Sequence, residues 1–536
     1  MGQAIGIDFG TTNTVVSYMN KAGNFKQLEY NGNPLIPSVI YFKSKSDYVI
    51  GTRAKNFRIT APKSCVENFK SHLGDKKFFY DVTAANGETF KITASKATNF
   101  FLNKVVEGVR DKLYKDFPTA DEGQIDRAVI TVPAKFNPKE IEIIKTAAGN
   151  ALNIDKKNVR LVYEPTAAAF AAQKDEVSSV NKVLIYDLGG GTFDVSLIRR
   201  DNEKNKFVPV TTADGDKHLG GNLLTGLIAK KIMQWTNEEL EDSDAEFTLS
   251  ENDYDEEEFP VTKDQYIQNI AKVKIAAEEI KEKLSETDEE DAEFDFWVSE
   301  NENRHISIPV TRKEIEKIIK KEIAETVDIT CNTVYSPEAA AIGDIDRIVL
   351  AGGSSKIPLI REMLTEKLQR DDIECSPEVY SLISRGAAIL AQNIISQEDT
   401  EVEQVTNFQI GIAATSGMLF GKFEMIIPEN VKLPYTATKD FNLAYDGQTQ
   451  LDISYYEYDV KKYPNSKTIN DDGFQEIDVL HVELPENLKK NNTIVRVEFK
   501  ANTDGCLDIT AQILDTHGNK VKDDDFLKVN KESDLI

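Results

Sequence analysis

At 536 residues the chain is long enough for roughly three or four domains, and its 40% of hydrophobic residues can fill real cores. A net charge of −26 argues against nucleic acid and anionic membrane surfaces as partners, because both require a basic face. No apolar run approaches the about 18 residues of a membrane span, no leader peptide precedes the first strand, and the four cysteines form no CxxC pair. We therefore expect a protein of a reducing, cytoplasmic compartment without a zinc site or a disulfide framework.

Apolar strands and helical segments alternate as far as about residue 395, which is typical of an α/β fold. The clearest strand candidates are short β-branched runs at residues 128–132, 183–186 and 348–351. An apolar spacing of 3.6 residues predicts helices near residues 97–113, 139–152, 265–284 and 312–334.

The first strand ends in Asp8 and leads into a glycine–threonine turn at residues 10–14. A similar turn follows Asp187 and contains Gly189, Gly190, Gly191 and Thr192. Such turns direct successive backbone N–H groups into one concavity, which suits a phosphate group. The two leading carboxylates can hold Mg²⁺, which takes few carboxylates and retains several waters. This matched pair, with one turn heading each half, predicts a duplicated domain that clamps a nucleoside triphosphate.

A third glycine turn, at residues 351–358, follows a buried strand and opens a helix, so a ligand can approach the backbone at the positive end of that helix. On an earlier predicted helix, Glu278, Lys281 and Ser285 fall on one face at i, i+3 and i+7. These three side chains could grip an adenosine, but in a helix rich in Lys and Glu a solvated face is an equally good interpretation. The first turn lacks the P-loop pattern, and the second does not satisfy GxGxxG.

Residues 237–258 contain twelve Asp or Glu and no Lys or Arg, which predicts a solvated, partly mobile insertion. After residue 398 the composition changes, and a polar connector over 399–405 leads into short alternating strands. The sequence Asn-Thr-Asp-Gly at residues 502–505 predicts a hairpin that closes the last pair of strands. We therefore expect a small all-β domain after the connector.

Together these motifs resemble the seventy-kilodalton heat-shock chaperone family of the DnaK type. The resemblance lies, in the family's order, in residues 5–14, 132–136, 164–169, 184–194, 218–221 and 352–358, and Asn13 is similar to the bacterial and organellar branch. It implies an α/β, duplicated actin-like (ribonuclease H-like) two-lobed ATPase domain over residues 1–395, with halves of about 1–180 and 181–395. A linker over 396–405 would join it to a β-sandwich, peptide-binding-like domain over 406–536.

The resemblance also implies roles for individual residues. Lys70 matches the family's catalytic lysine beside the γ-phosphate; without the resemblance it would be interpreted as a surface lysine. Glu164, Asp187 and Asp194 match carboxylates that organise the ion and the attacking water, and Thr192 joins this catalytic set. Asp8 and Asp187 would hold Mg²⁺ through water. The residues expected to bind ATP or ADP are Asp8, Gly10, Thr11, Thr12, Asn13, Gly189, Gly190, Gly191, Thr192, Gly220, Gly221, Glu278, Lys281, Ser285, Gly352, Gly353, Ser354 and Lys356.

In the β domain, four residues match positions near the family's peptide channel: Ile412, Thr415, Leu443 and Leu451. A site of this kind holds an extended segment by main-chain hydrogen bonds and receives side chains in an apolar pocket. Plain packing in the core of the domain explains each of the four residues at least equally well.

Several departures from the family concern communication between the domains. The leucines of the family's connector are replaced by Glu-Val-Glu-Gln at residues 401–404. Burying one leucine-sized side chain is worth roughly 1.5–3 kcal/mol, about as much as a typical allosteric coupling energy. Ile141 stands where a basic residue is usual beside the docking site, and the sequence after Gly221 is changed from Asn222 onward. Glu282 replaces an arginine beside the adenine, and Tyr380 replaces an aspartate. We expect weakened coupling between the domains and no helical lid.

The leading hypothesis is an ATP-dependent molecular chaperone that hydrolyses ATP slowly and binds extended hydrophobic segments of unfolded polypeptides. The resemblance implies J-domain co-chaperones and nucleotide exchange factors as further partners. The alternative is a nucleotide-controlled interaction or assembly protein whose β domain docks one dedicated partner. A small-molecule kinase on the same superfold is the weakest hypothesis, because it leaves the β domain without a role.

Overall fold

The computed structural model describes residues 2–117, 124–174, 182–201, 203, 206–240, 245–342, 344–376, 379–396, 402–416, 419–520 and 529–530. The strands as far as residue 163 are β1 (Gln3–Phe9), β2 (Asn13–Met19), β3 (Phe25–Gln27), β4 (Ile36–Pro37), β5 (Val39–Phe42), β6 (Tyr48–Ile50), β7 (Cys65–Glu67), β8 (Tyr80–Thr83), β9 (Thr89–Ile92), β10 (Ile125–Val132) and β11 (Val159–Tyr163). They form a mixed sheet in the order β11-β10-β1-β2-β3, with β4 beside β2, and the small sheets β6-β5-β7 and β8-β9.

The helices of this first half are α1 (Thr52–Lys55), α2 (Ala94–Asp116), α3 (Pro138–Leu152) and α4 (Glu164–Lys174). The side chains of Thr93 and Asn137 accept hydrogen bonds from first-turn N–H groups and so fix the starts of α2 and α3. The two helices predicted in this region are confirmed, each within a few residues of the observed start.

The second half repeats the arrangement of the first sheet. Its strands are β12 (Lys182–Leu188), β13 (Phe193–Asp201), β14 (Lys206–Pro209), β15 (Asp214–Asp216), β16 (Glu289–Ser299), β17 (Glu302–Thr311), β18 (Arg347–Ala351) and β19 (Ile373–Cys375). The main sheet runs β14-β13-β12-β18-β19, with β15 beside β13, while β16 and β17 form a separate hairpin. β12 pairs antiparallel with β13 and parallel with β18, as β1 pairs antiparallel with β2 and parallel with β10.

The remaining helices are α5 (Gly221–Glu239), α6 (Lys263–Lys283), α7 (Arg312–Val334), α8 (Pro337–Ile342), α9 (Pro358–Leu368) and α10 (Leu382–Ser396). The predicted helices near residues 265–284 and 312–334 are confirmed as α6 and α7. No helix in the ranges described above is long and apolar enough to cross a membrane.

The two main sheets meet through α4 and α10, which pack against each other. Alanines of both helices join residues of both sheets, such as Val129 and Ile185, in one buried cluster. The helices cross closely, because a Cβ at Gly386 would lie 1.8 Å from the Ala167 carbonyl oxygen. This shared core brings the loops that follow β1 and β12 to the same side of the molecule.

The acidic stretch is anchored more firmly than its composition predicts. Ala245 and Phe247 are buried, and the Phe247 ring packs against Tyr266 and Phe296. The Asn237 side chain also donates to the Phe247 carbonyl oxygen and accepts from its N–H. The sequence predicts a solvated, partly mobile insertion; from residue 245 onward the apolar residues between the acids reach the core, so this part is anchored as well as solvated. The acidic side chains themselves are exposed from 255 to 258, and residues 241–244 lie outside the described ranges.

After the connector, the strands are β20 (Gln409–Ser416), β21 (Leu419–Ile427), β22 (Tyr435–Asn442), β23 (Gln450–Tyr458), β24 (Phe474–Glu483), β25 (Ile494–Ala501), β26 (Leu507–Leu514) and β27 (Val529–Asn530). They form two sheets, β21-β20-β23-β24-β27 and β22-β25-β26, with one apolar cluster between them. The predicted hairpin is confirmed: the Asn502 N–H donates to the Cys506 carbonyl oxygen at 2.9 Å, and Gly505 has φ +85°.

The connector docks on both halves even without leucines. Val402 forms a parallel bridge with Phe207, and Gln404 is 3% exposed. The Gln404 side chain accepts from the Tyr163 N–H at 3.0 Å, and it donates to the carbonyl oxygens of Leu161 and Thr503 at 3.3 and 2.8 Å. Hydrogen bonds thus replace part of the apolar contact whose loss the sequence suggested. Residues 397–401 lie outside the described ranges.

Ion pairs fix the β domain to the first half of the chain. Asp504, in the β25–β26 hairpin, pairs with Lys145 of α3 and Arg160 of β11. Asp478 of β24 pairs with Lys76 and Lys139. Ile141 contributes an apolar contact, since its Cδ1 lies 3.3 Å from the position of a Cβ on Gly505. Ile141 of α3 therefore contributes to the contact between the first half of the chain and the β domain, to which the ion pairs also contribute.

A buried cluster of side chains in this interface contains two carboxyl groups and one ammonium group. Glu140 of α3 and Glu457 of β23 flank Lys217, whose Nζ lies 3.3 Å from Glu457 Oε1 and 2.6 Å from Gln475 Oε1. Burial raises the pKa of Glu140 to about 7, an effect opposed by the charge of Lys217 and increased by that of Glu457. The pKa of Glu457 is raised as well, mainly by burial, while Lys217 and Lys135 oppose the shift.

The docked arrangement should therefore weaken as the pH rises. A carboxyl with a raised pKa favours docking below its ordinary pKa, and that contribution is lost as the pH rises through about 7. Between the ordinary glutamate pKa of 4.5 and about 7 we expect the ratio of docked to undocked molecules to fall by up to about ten-fold per pH unit, and above about pH 7 Glu140 should change it no further. Small-angle X-ray scattering between about pH 5 and pH 7 would measure this as an increase in the radius of gyration.

A matched control is Glu140→Gln, which keeps the helix cap through its amide oxygen and removes the titrating group. Its scattering should change less with pH than that of the parent over the same range, because only Glu457 of this group remains to titrate. A parent protein that is equally compact at both ends of the range would contradict the prediction.

Candidate functional site

The predicted ligand residues surround one cavity of about 360 Å³ between the two halves. A cavity of this size is within the range of small-molecule sites. The predicted residues that line it are Asp8, Gly10, Thr11, Thr12, Asn13, Lys70, Glu164, Asp187, Gly189, Gly190, Gly191, Thr192, Glu278, Lys281, Ser285, Gly352, Gly353, Ser354 and Lys356. Asp194, Gly220 and Gly221 are not among the lining residues.

The two glycine turns face each other at the cavity. A Cβ at Gly190 would lie 1.9 Å from Thr12 Oγ1, and one at Gly191 would lie 2.4 Å from Thr11 Oγ1. Only glycine fits at these two positions, because any side chain would collide with the threonines of the opposite turn. The pairing of the two turns, predicted from their sequences, is thus a direct contact in the structure.

Gly220, Gly221 and the third turn support the second turn from behind. The Gly221 N–H donates to the Gly189 carbonyl oxygen at 2.9 Å, and the Ser354 hydroxyl donates to the same oxygen at 3.1 Å. Lys281 Nζ donates to the Gly221 carbonyl oxygen and to Thr225 Oγ1, at 3.0 and 2.8 Å. Lys281 therefore lines the cavity, and its ammonium group is held in place by hydrogen bonds to Gly221 and Thr225.

Lys70 is buried, and its ammonium is fixed by a carboxylate of the same half. A short 3₁₀ turn, Phe69–His72, carries it after Asn68, whose φ is +60°. Lys70 Nζ lies 2.7 Å from Glu164 Oε1, and the two side chains are 3% and 8% exposed. The same ammonium lies 5.5 Å from the ring centroids of Phe9 and Phe136. The lysine is thus held in one position at the cavity wall.

Asp8, Asp187 and Asp194 add buried carboxyl groups around the pair formed by Lys70 and Glu164. Burial raises the pKa of Asp8 and of Asp194 to about 7, the charge of Glu164 adding to the shift and that of Lys70 opposing it. The pKa of Asp187 is also raised well above its ordinary value, first by burial and then by the charges of Glu164, Asp194 and Asp8. This cluster holds more negative charge than the lysine can balance.

The carboxylates fit a hydrated divalent cation. Asp187 Oδ2 and Asp194 Oδ2 are buried and have no hydrogen-bond partner in the described part of the chain, while Asp194 Oδ1 accepts from the Ala134 N–H at 3.1 Å. Within the same residues, no three carboxyl, imidazole or thiol side chains come close enough to ligate one ion directly. Mg²⁺, which keeps several waters and takes few carboxylates, suits such a donor set.

The face of α6 has a second set of partners across the cleft. Glu278 lies 3.0 Å from Lys55 Nζ and 2.8 Å from Arg58 Nη2, and these cations lower its pKa against the effect of burial. The Ser285 hydroxyl donates to the Lys281 carbonyl oxygen of its own helix. These contacts favour a ligand-binding face over a solvated face. All three side chains line the cavity, Glu278 and Lys281 are bonded to other elements, and Ser285 is bonded to its own helix.

Sequence reasoning missed several lining residues. Asn222 links the halves: its Oδ1 accepts from Thr12 Oγ1 at 3.3 Å, and its Nδ2 donates to Asn68 Oδ1 at 2.7 Å. Ile357, Val379 and Ile383 form an apolar part of the wall. The only signals in the sequence were the departures from the family at Asn222 and Tyr380.

The predicted peptide-contacting residues lie mostly inside the β domain. Ile412 and Leu443 are 1% and 2% exposed in its core, and Leu451 is half-buried against that core. The side chain of Thr415 lies outside the described part of the chain. In this conformation the residues pack against one another, as the alternative interpretation from the sequence allowed.

Comparison with known proteins gives a family match over nearly the whole chain. A family model described as Hsp70 protein matches residues 4–532. The chaperone protein DnaK of Thermotoga neapolitana is 28% identical over 461 residues, which cover 84% of this chain and 70% of that protein. The chaperone protein DnaK of Buchnera aphidicola is 26% identical over an alignment of 538 positions, which covers 96% of this chain and 77% of that protein.

Proposed function

This chain belongs to the Hsp70 family, and we propose that it is a chaperone that binds ATP in the cavity between its halves and hydrolyses it slowly. The observation that carries the proposal is the convergence of the two facing turns with the Lys70–Glu164 pair at one cavity. Chaperones of this family are ATPases, and the residues around the cavity supply the groups that such a reaction needs.

Phosphoryl transfer depends mainly on positioning and on neutralising developing charge. We propose that the backbone of Gly189–Gly191 and the hydroxyls of Thr11 and Thr12 hold the phosphates, and that Lys70 stabilises charge on the transferred group. Glu164 fixes the ammonium of Lys70, and the carboxylate of Asp194 would orient the attacking water. Asp8 and Asp187 would hold Mg²⁺ through its waters, and the ion would neutralise phosphate charge when bound.

The β domain would bind extended hydrophobic segments of unfolded polypeptides. Main-chain hydrogen bonds to a strand give such sites affinity, and apolar pockets give them specificity. Because Ile412 and Leu443 are buried, a segment would reach them only after the β domain rearranges. We propose domain limits of 1–395, 396–405 and 406–536, and J-domain co-chaperones and nucleotide exchange factors as partners.

Single-turnover hydrolysis of ATP, with protein in excess and with or without a hydrophobic peptide, tests this proposal. We expect slow hydrolysis that the peptide accelerates by roughly five-fold or more, the size of a typical coupling energy. A protein that binds ATP and never cleaves it would contradict the enzymatic part of the proposal, whatever the effect of the peptide.

A second candidate function is a nucleotide-controlled assembly protein whose β domain docks one dedicated partner. The ion pairs of Asp504 and Asp478 favour it, because they hold the β domain against the first half. The dissociation rate of a fluorescent hydrophobic peptide discriminates between the two functions. If ATP changes that rate, the chaperone function is supported; if the rate is the same with and without ATP, the assembly function is supported.

A further inference from the structure

An aromatic side chain without a role in the function proposed above lies on the cavity wall. Tyr380 is 37% exposed and stands beside the third glycine turn, where a Cβ on Gly353 would lie 2.7 Å from the tyrosine Cε1. Lys356 holds the ring from another side, with its Nζ 4.7 Å from the ring centroid. Lys356 Nζ also lies 3.9 Å from Glu286 Oε1. The ring is therefore positioned by its neighbours and still accessible from the cavity.

Residues close to Tyr380 and Lys356 in the sequence contribute apolar side chains to the cavity. Ile357, Val379 and Ile383 line the same wall, whereas the carboxylates, Lys70 and the facing turns form the polar part. A nucleotide whose phosphates occupy the turns must place its base elsewhere on the wall of the same cavity. Aliphatic and aromatic side chains with a few polar groups at the edge are what binds a planar, apolar ring system.

The charged groups that line the cavity offer few free hydrogen-bonding groups by which one base could be distinguished from another. Glu282 and Glu286 supply acceptors, and Lys356 supplies a donor that is already directed at the tyrosine ring and at Glu286. Stacking on an aromatic ring is tolerant of base identity, because every base has a π-face, and its strength depends on ring area. Selection by stacking would therefore favour larger bases.

We propose that Tyr380 stacks on the nucleobase and that the site prefers purine to pyrimidine nucleotides for this reason. The inference rests on the proposed nucleotide binding and adds a specificity-determining residue to it. Tyr380 contacts the base, takes no part in the transfer of the phosphoryl group, and acts on the affinity for nucleotide.

Equilibrium binding measured by titration calorimetry tests the proposal with three probes: ATP, CTP and inorganic tripolyphosphate. For Tyr380→Ala we expect ATP affinity to fall by roughly ten-fold, since stacking on an aromatic side chain is worth about that much per base. Tripolyphosphate affinity should be unchanged, and the preference of the parent for ATP over CTP should disappear. Tyr380→Phe keeps the ring and should bind all three probes like the parent.

Two other outcomes separate this inference from the proposed function. If Tyr380→Ala binds ATP as tightly as the parent, or more tightly, the stacking role is overturned while nucleotide binding stands. If the parent binds neither ATP nor tripolyphosphate, the proposed function is overturned and the inference with it. Because the side chain is partly exposed, its truncation leaves no internal cavity, and the thermal unfolding midpoint of the variant provides the check on folding.

Discussion

Replacing Lys70 by alanine is expected to lower the single-turnover rate of ATP hydrolysis by roughly a thousand-fold while ATP still binds. The lysine ammonium is held 2.7 Å from Glu164 Oε1 at the wall of the cavity that the two turns share. A fixed positive charge at that position costs no reorganisation when charge develops on the transferred phosphoryl group. The turns, the third glycine turn and the apolar wall remain, so most of the binding contacts remain too.

The packing around Lys70 calls for a second variant. Its side chain lies near the rings of Phe9 and Phe136, so truncation to alanine also removes buried apolar contact. Lys70→Met keeps most of the volume and removes only the charge, and it should lose as much turnover as Lys70→Ala. Lys77→Ala, at an exposed lysine on the segment that follows, should hydrolyse ATP like the parent. Unchanged turnover in both Lys70 variants would exclude a catalytic role for this lysine.

The glycine turns could be predicted from the sequence because their requirements are local. An apolar strand, an aspartate and a run of glycine and threonine lie within a few residues of each other at Asp8 and at Asp187. Lys70 could not be predicted in this way. A lysine is buried only when it has a partner, and Glu164 is 94 residues away in the sequence. Resemblance to a family, rather than local pattern, identified it.

In the connector, the sequence showed which contacts were lost and could not show which contacts replaced them. Counting lost leucines predicted weak docking, because the sequence reports which apolar side chains are missing. The replacement, Gln404, is satisfied by backbone groups of Leu161, Tyr163 and Thr503, which only the fold brings together. Buried polar side chains that find all their partners do not carry the usual cost of desolvation. The same applies to Phe247, whose burial among acidic neighbours depends on distant aromatic rings.

Asp504→Ala is expected to release the β domain from the first half of the chain. The Asp504 side chain is 3% exposed, and it pairs with Lys145 and Arg160 from two different elements. Removing one member of a buried ion pair leaves the other charges uncompensated, and for these partly exposed cations we expect a loss of roughly 2 kcal/mol of docking free energy. The equilibrium between docked and undocked molecules should then shift by about thirty-fold.

Limited proteolysis at the connector measures this shift, because residues 402–404 are protected only while they are docked. The Asp504 variant should be cleaved faster than the parent, and its two parts should unfold in separate thermal transitions. Asp508→Ala removes an exposed aspartate from the next strand of the same hairpin and should leave both measurements unchanged. If the Asp504 variant is cleaved no faster than this control, the hydrogen bonds of Gln404 and the pairs of Asp478 are sufficient to hold the β domain, and the docking energy lies in them rather than in the hairpin.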